Sequence, residues 1–265
     1  MADFVKESGH FYWPDGRPAY EVPYAGKREG MKKTTLREAR KMGLLFGVTT
    51  ITGIPAKPML NRWIVDQHLD AVEGVVGCEE SLSFYPGWRD DVREQATAVG
   101  REAAEIGTRI HGLIATCMDG VQKGGYSGDD HDSANSAIDA LIKLFPDADW
   151  SNERSFGCPE YGFGGAVDVS SLDGDGIVVD WKGKDFTQAD ADKGFKPYPE
   201  NAMQISAYRY GLGIPNARGV NIFFSRSNPG VTYVYEFSDE ELRIAWEKFK
   251  CLMMFKLLDS GHDPR

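Results

Sequence analysis

The 265-residue chain is 42% hydrophobic and 12% aromatic, enough for a full core in one large domain, and carries a net charge of −10. That charge excludes a protein that coats nucleic acid by bulk electrostatics, and no run approaches the roughly 18 apolar residues of a membrane span. The start, Met1 to Glu7, has neither a signal-peptide core nor an Arg-rich leader, so a cytoplasmic setting is expected.

Residues 1–45 are polar, aromatic and turn-rich, with a turn at Pro14-Asp15-Gly16. Within them, residues 35–42 predict a short basic helix closed by Gly43. Residues 48–51 read as a β-like segment or the start of a following helix. Residues 57–72 predict an amphipathic helix containing Trp63, and 77–86 a break. A long helix is expected over 88–121, interrupted near Gly100 and Gly107. A Gly/Asp-rich loop over 123–132 and a helix over 133–144 follow. Only then do strands begin. Residues 156–181 form a hairpin region, 185–199 a polar loop and 200–212 a helix. Residues 219–225 and 231–237 form a second hairpin around Asn228-Pro229-Gly230. The last helix, 238–258, opens with a capping box of Ser238 and Glu241.

This order predicts an α/β fold, a mixed central β-sheet flanked by helices, with a helical N-terminal region. Residues 1–150 are expected to pack on the core and 151–265 to form it, as one integrated domain. Cys78, Cys117, Cys158 and Cys251 lack any C-x-x-C pair, which predicts free thiols, no zinc site and no iron–sulfur cluster.

The chemistry concentrates in two apolar runs joined by a turn-rich linker. Gly164-Gly165-Ala166-Val167-Asp168 ends one, and Ile177-Val178-Val179-Asp180-Trp181-Lys182 forms the other. Antiparallel pairing across Leu172 to Gly176 would bring Asp168 beside Asp180, and residues two apart in a strand put Asp180 and Lys182 on one face. Two carboxylates with the Trp181 carbonyl suit a hard divalent cation, Mg²⁺ or Mn²⁺, one ion or two. Lys182 would hold a water or stabilise charge on a pentavalent phosphorus, the equipment of a metal-dependent phosphodiesterase. An Asp-x-Lys triplet alone is more often a surface ion pair, so the other motifs matter.

His111, in Gly107-Thr108-Arg109-Ile110-His111, is a candidate ligand that would favour Mn²⁺, and Glu153 a further carboxylate. Gln204 and Tyr208, four apart, share a helix face near the acids. Residues 27–41 hold seven basic residues against two acidic ones, a local balance of +5. Lys32, Lys33, Arg37, Arg40 and Lys41 in that stretch, with Arg109 and Lys184, are candidate DNA contacts. Trp63 and Trp88 are expected in the core, with stacking on a strand as the alternative.

Taken in order, Gly-x-x-x-His, Glu, Gly-Gly-x-x-Asp, Asp-x-Lys and Gln-x-x-x-Tyr resemble the RecB-like branch of the PD-(D/E)XK nuclease superfamily. Val48-Thr49-Thr50-Ile51 through Trp63 resembles the opening of phage-encoded and mitochondrial genome maintenance exonucleases. The resemblance implies a restriction-endonuclease-like core, a helical region over the strand path, and divalent-metal hydrolysis of DNA from free, chiefly single-stranded, ends. It implies metal ligation by His111, Asp168, Asp180 and the Trp181 carbonyl, a catalytic Lys182, and a supporting Gln204 and Tyr208. A phage-encoded chain would work in a bacterial cytoplasm. Gly183 departs from the Thr or Ser usual after the lysine, and the cysteine cluster of the iron–sulfur relatives is missing. The alternatives are a double-strand-end resecting exonuclease or endonuclease, and a catalytically inert DNA-binding module.

Overall fold

The computed structural model describes residues 10–24, 29–55, 58–76, 88–120 and 127–265. The predicted break at 77–86 lies outside them, as do Cys78, Lys27, Arg28 and residues 123–126 of the predicted 123–132 loop. From the N-terminus, β1 (Phe11–Tyr12) leads into the Pro14-Asp15-Gly16 turn. Gly16 has φ +91°, and a Cβ there would lie 2.8 Å from the Phe156 Cα, so the turn seats directly on a later strand. β2 (Glu21–Pro23) and β3 (Met31–Lys33) form a separate antiparallel pair. α1 (Leu36–Met42) ends as predicted, on Gly43 in the left-handed region.

Of the two readings of residues 48–51, the helical one holds. The strand is β4 (Leu45–Gly47), and the β-branched Val48-Thr49-Thr50-Ile51 run belongs to a short helix, α2 (Val48–Thr52). Gly47 donates its N–H to the His10 carbonyl, ending the extended segment, and Val48, Ile51 and Thr52 are buried. Tertiary burial overrides the strand propensity of these side chains.

α3 (Pro58–Val76) packs on α4 (Trp88–Met118), which runs through both glycines without a break. The Trp63 ring leans toward Gly100 while staying 40% exposed, and a Cβ there would meet it at an ordinary contact distance of 3.5 Å. Trp63 is therefore not the core residue expected. α5 (Gly128–Leu144) starts five residues earlier than predicted, because Ser127 and Asp130 form a capping box.

The strands are β5 (Ser151–Cys158), β6 (Phe163–Ser171) and β7 (Ile177–Lys184). The predicted polar loop contains a short capped helix, α6 (Gln188–Lys193). Then come α7 (Pro199–Gly211), the hairpin β8 (Arg218–Ser225) and β9 (Thr232–Phe237), and α8 (Asp239–Ser260) with its expected Ser238–Glu241 box.

The architecture is a mixed α/β fold with a seven-stranded sheet among the described residues, ordered β1-β4-β6-β7-β8-β9, with β5 also on β6. β1 and β4, both from the first 150 residues, take places in the sheet itself. One edge of β6 pairs with β5 along nearly its whole length. Its other edge is shared: β4 pairs at Phe163 and Gly164, β7 at Val169 to Ser171. Residues 165–168 have no ladder partner on that side, which leaves a gap in the sheet.

Two layers of helices cover the faces. Val178, Ile205, Phe163 and Phe249 pack beneath α7 and α8, whereas Val179, Trp181, Ile222 and Phe224 pack beneath α4 and α5. Each such buried side chain contributes about 1.5–3 kcal/mol. Asp180 and Lys182 alternate with Val179 and Trp181, so they lie on the α7 side of the sheet.

Arg109 joins α4 to α5 through a two-pronged pair with buried Asp130, at 2.8 and 2.9 Å. The guanidinium read as a DNA contact is thus committed within the protein. Arg109→Ala is expected to destabilise the fold by about 1–3 kcal/mol, toward the lower end because Arg109 is 44% exposed. Thermal melts check this, and an unshifted midpoint would show the pair to be energetically idle. Among the described residues no helix is long and apolar enough to cross a membrane.

Candidate active site

The β6–β7 ladder stops at Val169↔Val179, and its continuation sets Asp168 opposite Asp180. There the backbone pairing gives way to a side chain: the Trp181 N–H donates to Asp168 Oδ2 at 3.0 Å. Asp168 is 28% exposed at its side chain, open enough to meet a ligand. Burial, followed by the charge of Asp180, raises its pKa to about 7.

Asp180 is 2% exposed and accepts from two donors on Oδ2: the Lys182 ammonium at 2.6 Å and the Asn221 amide at 3.0 Å. Lys182 also donates to Gln204 Oε1 at 3.0 Å, and Gln204 Nε2 donates to the Tyr208 hydroxyl at 2.7 Å. Tyr208 is held well above the usual phenol range by burial and by both aspartates, so it stays neutral. α7 supplies both residues one turn apart. Gly165 makes room for Tyr208: a Cβ there would lie 3.1 Å from its ring.

His111 enters from α4, with Nδ1 3.7 Å from Asp168 Oδ2. Burial lowers its pKa against the attraction of Asp180, and a hydrogen bond to a Trp181 backbone acceptor raises it. The Phe224 ring meets the imidazole edge-on at 5.7 Å. Phe224 also explains the glycine after the lysine: a Cβ on Gly183 would stand 2.9 Å from its ring. The aromatic fills the space that Thr or Ser would need.

Glu153 occupies the position opposite Asp168 on β5, between the pairs Asn152↔Val169 and Arg154↔Val167. Its side chain is exposed, its charge adds to the raised pKa of Asp168, and its φ of 45° is rare for a residue with a side chain.

The structure thus brings together His111, Asp168, Asp180, Trp181, Lys182, Gln204 and Tyr208, with Glu153 at the margin. The basic candidates lie elsewhere or are engaged. Lys32 binds Glu38 at 2.5 Å, and Arg40 donates to the Ser260 carbonyl at the end of α8. Lys33, Arg37 and Lys41 are exposed. Lys184 lies one pleat beyond Lys182, with its ammonium 4.0 Å from the Phe195 ring centre.

Asn221 escaped the sequence reading. It lies opposite Asp180 in the parallel β7–β8 ladder and is fully buried, and its Oδ1 has no partner, so its amide donor is what serves the site. Removing that donor should loosen Asp180. Asn221→Ala is expected to lower activity by about 10–100-fold, the usual cost of losing a group that orients a ligand. Steady-state kinetics on a folded variant test it, and parental kcat/KM would reduce Asn221 to packing.

The donors fit a hard divalent cation in kind: two carboxylates, a backbone carbonyl and an imidazole. Among the described residues, no three His, Cys, Asp or Glu side chains stand close enough together to hold one as arranged. Lys182 and the Trp181 N–H take one oxygen of each aspartate, and each carboxylate keeps a second.

Fold and site together define a mixed α/β protein whose acid–acid–lysine cluster sits where its central sheet parts. No family model and no curated protein matches the chain. Solved structures similar to it include the following two. SSO0001 is 12% identical, covering 73% of this chain and 86% of its own, with a TM-score of 0.28. The alkaline exonuclease LHK-Exo from Laribacter hongkongensis is 14% identical, covering 76% and 98%, with a TM-score of 0.32.

Proposed function

We propose that the chain is a divalent-metal-dependent deoxyribonuclease that hydrolyses phosphodiester bonds from DNA ends, chiefly single-stranded ones. The observation that carries this reading is the relay Tyr208–Gln204–Lys182–Asp180 with Asp168 set across from it. A structural ion pair needs only the lysine and one acid. Here a second acid faces the first, and a buried amide aims the lysine.

Mg²⁺ or Mn²⁺ held by Asp168, Asp180, His111 and the Trp181 carbonyl would neutralise a phosphate and acidify a water. The chain's own groups do the rest. Asp180 and Gln204 use two of the three donors of Lys182, leaving the third for a substrate oxygen as negative charge builds there. Gln204 fixes the ammonium, and neutral Tyr208 anchors Gln204. The helical region formed by α3 and α4 would cover the DNA path.

The test is cleavage of end-labelled linear single-stranded, linear double-stranded and circular DNA with Mg²⁺, Mn²⁺ or EDTA. Metal-dependent loss of linear single strands supports the proposal. Cleaved circles would make the chain an endonuclease, preference for duplex ends a resecting enzyme, and binding without cleavage an inert module.

Asp168 adds a pH signature. A carboxyl whose folded-state pKa rises to about 7 binds its proton more tightly than in the unfolded chain, so its contribution to stability falls as pH climbs from about 4 to about 7. Asp168→Asn is therefore expected to gain melting temperature over the parent as pH rises in EDTA. Saturating Mn²⁺ should narrow that gap, because the cation takes the place of the proton. A difference independent of pH would remove Asp168 from the coupled site.

A further inference from the structure

The helix that carries Gln204 and Tyr208 begins beside a second feature. Between the N-terminal end of α7, β9 and α8 lies a groove of about 370 Å³, walled by Tyr235, Phe237 and Ile244 and flanked by Lys196, Tyr198 and Lys248. Lys196 and Lys248 are exposed, and Tyr198 is 57% exposed although it is aromatic. The one acid in the lining, Glu241, is committed: it accepts from the Tyr235 hydroxyl and from Ser238.

The groove opens on the same side of the sheet as the acids. Phe237 and Tyr235 pack with Val178 and Ile205 in the layer beneath α7 and α8. Tyr198 and Gln204 are six residues apart, about 9 Å along a helix axis. Lys184 bridges the interval: it follows Lys182 on the same face of β7, and its ammonium lies 4.0 Å from the Phe195 ring centre and 5.9 Å from that of Tyr198. A row of ammonium groups thus leads away from the reacting centre, interleaved with aromatic rings.

We infer that this groove binds single-stranded nucleic acid next to the scissile position, with Lys196 and Lys248 on phosphates and Tyr198 stacking on a base. Alternating cations and an exposed ring are the chemistry that holds a single strand without reading its sequence. A protein of net charge −10 has to place such contacts locally. The inference deepens the deoxyribonuclease reading and rests on it for the direction in which the strand continues.

Binding is measured in EDTA, apart from catalysis, by fluorescence anisotropy with a labelled oligothymidylate of roughly 12 nucleotides. Tyr198→Ala is expected to weaken binding about tenfold, the effect of one lost stack. Lys196→Glu with Lys248→Glu should reduce the slope of log affinity against log salt by about 1.4, for two phosphate contacts. All three positions lie on the surface, and unchanged melting curves confirm the fold. Parental affinity and salt slope in both variants would overturn the groove, even with the parent protein cleaving DNA. Weakened binding in the variants, with a parent that cleaves nothing, would keep the groove and discard the nuclease.

Discussion

Asp180→Asn is expected to reduce metal-dependent DNA cleavage by about three orders of magnitude or more while leaving DNA binding in place. The substitution keeps the shape of a side chain that is 2% exposed, so the fold persists. It removes the charge that holds the Lys182 ammonium at 2.6 Å, and it removes one of the two facing carboxylates. Losing that charge also lowers the proton affinity of Asp168, because Asp180 is the second-largest cause of its elevation. Single-turnover cleavage of linear DNA measures the loss. A residual rate within about tenfold of the parent would place the chemistry at other residues.

Gly211→Ala is expected to destabilise the protein by about 1–3 kcal/mol through overpacking. A Cβ at this position would come within 1.9 Å of the Phe156 ring, which is buried and cannot swing away. The same ring supports Tyr208 edge-on, at 6.0 Å between centres, so the strain reaches the anchor of Gln204. In a chain this long each kcal/mol shifts the melting midpoint by about 2–4 °C. An unchanged midpoint would mean that α7 slides freely over β5, which the packing opposes.

How much of this was legible in the sequence follows from how far each contact reaches. A turn-rich linker between two apolar runs fixes its own register, so the approach of Asp168 to Asp180 could be read directly. Gln204 and Tyr208 are neighbours by helical spacing alone. Asn221 could not be read this way. Its place opposite Asp180 depends on a parallel pairing separated by all of α7, and nothing in Asn221 or its neighbours announces it. β1 and β4 are two and three residues long, too short for any periodicity. The fates of Arg40 and Arg109 were hidden for a related reason, since their partners lie 220 and 21 residues away. Gly100 and Gly107 were misread because a glycine lowers helix propensity without breaking a helix that runs on either side of it.

The parting of β4 and β7 along β6 gives the Trp181 amide an unusual companion. Its hydrogen bond runs to the Asp168 carboxylate, where a strand would ordinarily offer a backbone carbonyl. A backbone carbonyl is neutral and does not titrate, whereas a carboxyl with a pKa of about 7 changes its charge near neutrality. The Trp181 N–H is therefore a built-in spectroscopic reporter: its proton resonance should track the ionisation of Asp168, and with it any cation that binds the carboxylate's other oxygen.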